Sequence, residues 1–194
     1  IAAKTAEPHP KLAGTIYTAA SEIEALGGKA LPCMVDIRDE NQVIEAVNQA
    51  VSTFGGIDIL INNAAFVGTS DLPGWGVPFE NQSIDTWRRA LEVNLTAVFD
   101  LIKGLSPLLK SSKNGSIVNV ASIYGMYGPD WSLYSGTEMS NPAAYAASTG
   151  RLTQISRWLA TTLAPQVRVN VISPGGIFRS VSYFDSPCHF AWFP

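Results

Sequence analysis

Residues 57 to 62 read IDILIN, with four apolar side chains in six positions. The run follows the Gly55-Gly56 stop and is too apolar for either face to meet water, so it predicts a central strand of a parallel sheet ending on the polar Asn62. Before it, "DENQ" (Asp39 to Gln42) has the form of a helix-starting capping box. Val43, Ala46, Val47, Ala50, Val51 and Phe54 then recur at helical spacing and predict a buried face. Further back, Ile16, Ala19, Ala20, Ile23 and Leu26 mark a helix from Thr15 to Leu26, closed by Gly27-Gly28. "KALPCMVD" follows as a short strand ending at Asp36.

Downstream, a glycine- and proline-bearing segment from Gly68 to Phe79 leads to Ser83, a cap for a long helix through Trp87, Leu91, Val98, Leu101 and Leu105. "SIVNVAS" (Ser116 to Ser122) and "RVNVIS" (Arg168 to Ser173) are two further strands, separated by a helix from about Pro142 to Leu163. Strands alternating with helices predict an α/β fold with a doubly wound parallel sheet. In such sheets, ligands sit beyond the carboxyl ends of the strands, here Asp36, Asn62, Ser122 and Ser173.

Composition narrows the function. The 194 residues are 46% hydrophobic, enough for one core, and residues 1–194 read as a single domain. A net charge of −3 provides no basic footprint for nucleic acid. Cys33 and Cys188 are far apart and form no C-x-x-C, and His9 and His189 have no partner at metal-ligand spacing. With no apolar run of membrane-spanning length and no signal-peptide pattern, the chain reads as a soluble, cytoplasmic protein.

"DIRD", "NNAA", "EVNL", "NVASIYG", "YAAS" and "NVISPGGI" occur in this order, each at a strand end or on a helix. Together they resemble the short-chain dehydrogenase/reductase family, across nearly the whole chain. Residues 1 to 64 resemble its hydroxysteroid dehydrogenase-like branch, whereas the stretch from about Ser122 resembles bacterial relatives associated with flagellin or surface-sugar modification. The resemblance implies a Rossmann-like fold and hydride transfer between a nicotinamide cofactor and a carbonyl or alcohol. Tyr145 would be the acid/base, Ser122 would hold the substrate oxygen, and Asn94 would organise a helix distortion. Tyr134 lies nearer the family's usual interval from Ser122, but Glu138 four residues later would raise its pKa, so Tyr145 is preferred. For the cofactor, the resemblance places Asp36 and Ile37 at the adenine, Asn62 and Ala64 along the adenosine ribose, and Pro174, Gly175 and Ile177 at the nicotinamide end. Lys4 stands where a basic residue would select a 2′-phosphate, a lean toward NADP over NAD. The long helices around Trp87 to Leu105 and Leu152 to Leu163 would pair subunits into a homodimer or homotetramer.

The chain departs from the family at three places. Thr149 stands four residues after Tyr145, where the family has a lysine that favours the phenolate and holds the nicotinamide ribose. The first strand and glycine-rich phosphate loop do not occur, and after "SPGGI" the stretch "FRSVSYFDSPCHFAWFP" is aromatic-rich and aperiodic. The expectation is therefore a doubly wound sheet incomplete at both ends, with an unpaired apolar edge, in a fragment of an oxidoreductase. An inactive family member serving in binding or dimerisation is the alternative.

Overall fold

The computed structural model describes residues 1–8, 14–67, 72–137 and 140–175. Strand order places the run β3 (Ile59–Asn62), β4 (Ser116–Val120), β5 (Arg168–Ile172) side by side, with both pairings parallel. In this register Ile117 stands opposite Leu60 on one side and Val169 on the other. A second parallel pair, β1 (Ala2–Ala3) with β2 (Cys33–Met34), forms a separate small sheet. The fold is α/β and Rossmann-like, and its polar strand ends are where the sequence puts them.

IDILIN forms a parallel strand, but it is not central. Among the described residues β3 is hydrogen-bonded to β4 alone, and Ile59 and Ile61 are 57% and 62% exposed. The apolar edge predicted for the sheet is therefore found on the same strand that reads as its middle. A strand needs a neighbour on each side to be buried on both faces and at both edges, and composition cannot supply the neighbour.

Helix starts follow local chemistry. Thr15 caps α1 (Ile16–Ala25) by accepting from the Tyr17 and Thr18 amides, and Thr18 Oγ1 in return accepts the Thr15 amide. Only Ile16 and Ala20 of its apolar set are buried, whereas Ile23 and Leu26 are exposed. Asp39 caps α2 (Glu40–Phe54), but the predicted capping box is not reciprocal. The Asp39 amide donates to the Asp36 carbonyl at 2.9 Å, leaving Gln42 to accept the Asp36 amide at 2.9 Å and to donate to the Asp39 carboxylate at 2.9 Å. The predicted face of α2 has the right phase, yet none of its residues is fully buried and Phe54 is exposed.

Ser83 caps α3 (Ile84–Leu91), which runs through a π turn (Glu92–Thr96) into α4 (Ala97–Ser111). α5 (Ala143–Leu163) then returns the chain to β5. Val98, Ile102, Leu105 and Leu109 of α4, Leu152, Leu159 and Leu163 of α5, and Ile117 of β4 form one buried cluster. Each large aliphatic side chain removed from water there contributes about 1.5–3 kcal/mol. No helix among the described residues is long and apolar enough to cross a membrane.

Two glycines let the turn after β4 dock on α5. A Cβ on Gly125 would stand 2.7 Å from the Thr149 carbonyl carbon and the Gly150 nitrogen, and one on Gly150 would stand 2.9 Å from the Gly125 carbonyl oxygen. Backbone thus meets backbone, and Ser122 is brought beside the helix that carries Tyr145. We predict that Gly125→Ala costs about 1–3 kcal/mol in urea unfolding. Gly128→Ala, whose added Cβ would meet nothing within 4 Å, should cost less than about 0.5 kcal/mol. Equal losses would contradict the docking account.

Candidate active site

The site is assembled around Asn94, 4% exposed on the π turn. Its Oδ1 accepts the Phe66 amide at 2.6 Å, and its Nδ2 donates to the Phe66 carbonyl and to Ser148 Oγ, each at 3.1 Å. Ser148 in turn donates to the Tyr145 carbonyl at 3.0 Å. One carboxamide therefore joins the segment leaving β3, the helix distortion and the first turns of α5. Asparagine is a poor helix former, and this one sits in the π turn itself, a distortion that helices often carry at functional sites.

Tyr145 lies half-buried in the first turn of α5, beside a cluster of Trp75, Ala90 and Ala144 flanked by Phe66 and Trp87. Ser122, buried at the end of β4, caps the short turn Ile123–Gly125 by accepting the Tyr124 amide at 3.2 Å. The Ile123 amide donates to the Pro174 carbonyl at 3.1 Å, so the turns after β4 and β5 are tied together. Asn94, Ser122, Tyr145, Thr149, Pro174 and Gly175 thus fall on connected elements at the carboxyl ends of β3, β4 and β5. Ile177 lies outside the described residues.

Thr149 is buried, and its hydroxyl donates to the Tyr145 and Ala146 carbonyls at 2.9 and 3.2 Å. It is satisfied along its own helix and offers no charge. Tyr134 donates to Tyr124 through their hydroxyls at 2.7 Å. Burial pushes the Tyr134 phenol up, and the hydrogen bond to Tyr124 pushes the same way, while the nearby Asn141 amide opposes them. The direction matches the sequence expectation, but burial is its main cause, and Glu138 lies outside the described residues.

Asn62 and the cluster at Asp36 are more engaged than strand-end positions need be. Asn62 Nδ2 donates to Asn119 Oδ1 at 2.8 Å, and Asn119 Nδ2 donates to Ser156 Oγ at 2.8 Å, a buried chain from β3 through β4 to α5. The Asp36 carboxylate accepts from Arg38 Nε at 3.0 Å, from the other side of that guanidinium at 2.5 Å, and from Lys4 Nζ at 3.1 Å. Lys4 follows β1, Asp36 and Ile37 lie just past β2, and Ala64 is exposed just past β3. Sequence reasoning misses Ser148, Asn119 and Arg38. The polar Asn119 inside the apolar run SIVNVAS is the signal that could have found one of them.

Comparison with known proteins agrees with this architecture. The family model for short chain dehydrogenase matches residues 11–181, so the chain belongs to the short-chain dehydrogenase family. Among curated relatives, hydroxysteroid dehydrogenase-like protein 2 of Xenopus tropicalis is 40% identical over 174 residues, which cover 90% of this chain and 38% of the relative. The Homo sapiens protein of that name is 49% identical over 125 residues, 62% of this chain and 27% of the relative. The chain therefore spans well under half the length of these relatives. A solved NAD+-bound xylitol dehydrogenase superposes with a TM-score of 0.68 at 33% identity, covering 82% of this chain and 56% of that one. A 3-oxoacyl-[acyl-carrier protein] reductase with bound NAD from Brucella melitensis gives 0.67 at 28% identity, with the same coverage.

The Asp36 cluster sets a pH dependence. The Arg38 side-chain hydrogen bonds hold the Asp36 carboxyl well below the usual carboxylate range, against the effect of desolvation, and Lys4 adds to them. A carboxyl whose folded pKa is depressed stabilises the fold above its unfolded pKa, about 3.9, and loses that contribution as pH falls further. Asp36→Asn should lower stability at neutral pH and flatten its decline below about pH 4. Urea unfolding of both proteins across this range measures the effect, and parallel declines would show that the cluster contributes nothing.

Proposed function

We propose that this chain carries the site of an NAD(P)-dependent oxidoreductase that reduces a carbonyl group, with Tyr145 as proton donor. The observation that supports it best is the convergence of Ser122 and Tyr145. The first is on a turn packed backbone to backbone against α5, and the second is on α5, itself held by Asn94 through Ser148. Ser122 Oγ accepts only the Tyr124 amide in the described structure, leaving its proton to donate to a substrate oxygen. Tyr145 donates its phenolic proton to the same oxygen as the carbon is reduced. The nicotinamide cofactor, when bound, supplies the hydride.

The residues fit such a cofactor along the strand ends and less well at Thr149. Exposed Ala64 and Gly175 leave backbone open beyond β3 and β5, the positions assigned to the adenosine and nicotinamide ends. Asp36 and Ile37 would meet the adenine, while the Asn62 side chain, already bonded to Asn119, would steady the strand end beneath the ribose. Lys4 is well exposed at its bridge to Asp36, so a 2′-phosphate has a cation to recruit, which favours NADP over NAD. Thr149 cannot stabilise a phenolate. Reduction, which starts from the neutral phenol, is therefore the favoured direction.

A second reading is a family member that binds without catalysis and pairs through the helices around Trp87 to Leu105 (α3 and α4) and Leu152 to Leu163 (α5). The Thr149 hydroxyl, spent on its own helix, favours it. Fluorescence titration with NADPH and NADH, followed by assay against a ketone panel, separates the two. We expect saturable binding, tighter for NADPH, and slow ketone reduction that falls about 10²–10⁴-fold in Tyr145→Phe. Thr149→Lys should raise the rate, most of all for alcohol oxidation. Binding without turnover would favour the second reading, and no binding would remove the cofactor assignment.

A further inference from the structure

Beside the entry to α5 lies a cavity of about 530 Å³, a size that takes a small organic ligand. Val77, Phe79, Pro129, Trp131, Ala143 and Ala146 make its wall largely apolar, and no charged side chain occurs among its described lining residues. Ala143 and Ala146 belong to the first turn of α5, the helix that also carries Tyr145.

Gln82, Thr137, Ser140 and Asn141 are the polar residues of this wall, and Asn141 differs from Gln82 in its pairing. Asn141 is 6% exposed, and neither its Nδ2 nor its Oδ1 closes a hydrogen bond of ordinary distance and angle, although the Tyr134 hydroxyl, already bonded to Tyr124, lies close enough to feel its amide. Gln82, the other carboxamide lining the cavity, is committed at both ends, accepting the Ala143 amide at 3.1 Å and donating to the Val77 carbonyl at 3.4 Å. The contrast matters because buried polar groups are nearly always paired, and an unpaired one is costly to the fold. A polar group kept unpaired at the edge of a ligand-sized apolar cavity is one whose partner arrives with the ligand.

We infer that Asn141 is the specificity-determining residue of this cavity, which takes an uncharged molecule with an apolar body and a hydroxyl or amide group. Either group both donates and accepts, matching the Nδ2 donor and the Oδ1 acceptor. A carboxylate or ammonium would enter a wall with no opposite charge among its described residues and is disfavoured. This assignment of a ligand class rests on the oxidoreductase reading only for which carbonyl is reduced, because binding itself needs no turnover.

The test uses the full chain and four related ketones: cyclohexanone, 4-hydroxycyclohexanone, 4-oxocyclohexanecarboxamide and 4-oxocyclohexanecarboxylate. Affinities come from ligand-observed NMR titration, with urea unfolding run alongside. The hydroxyl and carboxamide ketones should bind about tenfold tighter than the other two. Asn141→Leu should erase the preference while leaving the unfolding midpoint unchanged or higher, since an unpaired amide gives way to an apolar group of similar size. Asn141→Ser, which keeps a smaller polar group, should retain part of the preference. No binding by any of the four, no discrimination, discrimination that survives in Asn141→Leu, or unfolding of both variants would each overturn the inference. Preference without turnover would leave it standing and remove the reductase reading, whereas turnover without preference would do the reverse.

Discussion

The carboxamide of Asn94 uses both of its N–H groups and its oxygen to join three segments that are remote in sequence: the strand exit at Phe66, its own π turn, and α5 at Ser148. A π turn is a rare interruption of helical hydrogen bonding, and this one persists because the side chain it turns inward satisfies the Phe66 backbone. Because Asn94 is almost fully buried, water cannot replace any of these partners if it is lost. The placement of Tyr145 beside the strand ends follows from this one residue, through Ser148 and the Tyr145 carbonyl.

Other contacts add to the same arrangement. The chain Asn62, Asn119, Ser156 fixes the ends of β3 and β4 against α5, and the close approach of Gly125 and Gly150 fixes the turn that carries Ser122. The interior beneath the site is therefore polar and paired, which favours one arrangement over the many that an apolar core would tolerate. Thr149 fits this frame without strain, its hydroxyl bonded to its own helix. What the substitution removes is electrostatic. Under the proposed reading, what is missing beside Tyr145 is the charge that would favour a phenolate.

Much of this was legible in the sequence because strand ends and helix caps are local. Asn62, Ser122 and the Ser83 cap stand where period and punctuation place them, and the family resemblance pointed to a helix distortion at Asn94. Three features were not legible, each for want of long-range information. IDILIN has the composition of a central strand, but only pairing decides that it is an edge. The Asp39 to Gln42 box was diverted because the backbone at Asp36 supplies a partner for both the Asp39 amide and the Gln42 side chain. Asn141 reads as an ordinary residue ahead of a helix, and only the packing around it shows that its amide is buried and unpaired.

The central claim is that Asn94 holds the strand exit and the tyrosine helix together. Residue-resolved hydrogen exchange of the Phe66 amide, in the native chain and in Asn94→Ala, tests it most directly. The account predicts strong protection of this N–H in the native chain and its loss in the variant, with weakened protection around Ser148. A Phe66 amide that exchanges in the native chain as fast as in a free peptide would contradict it.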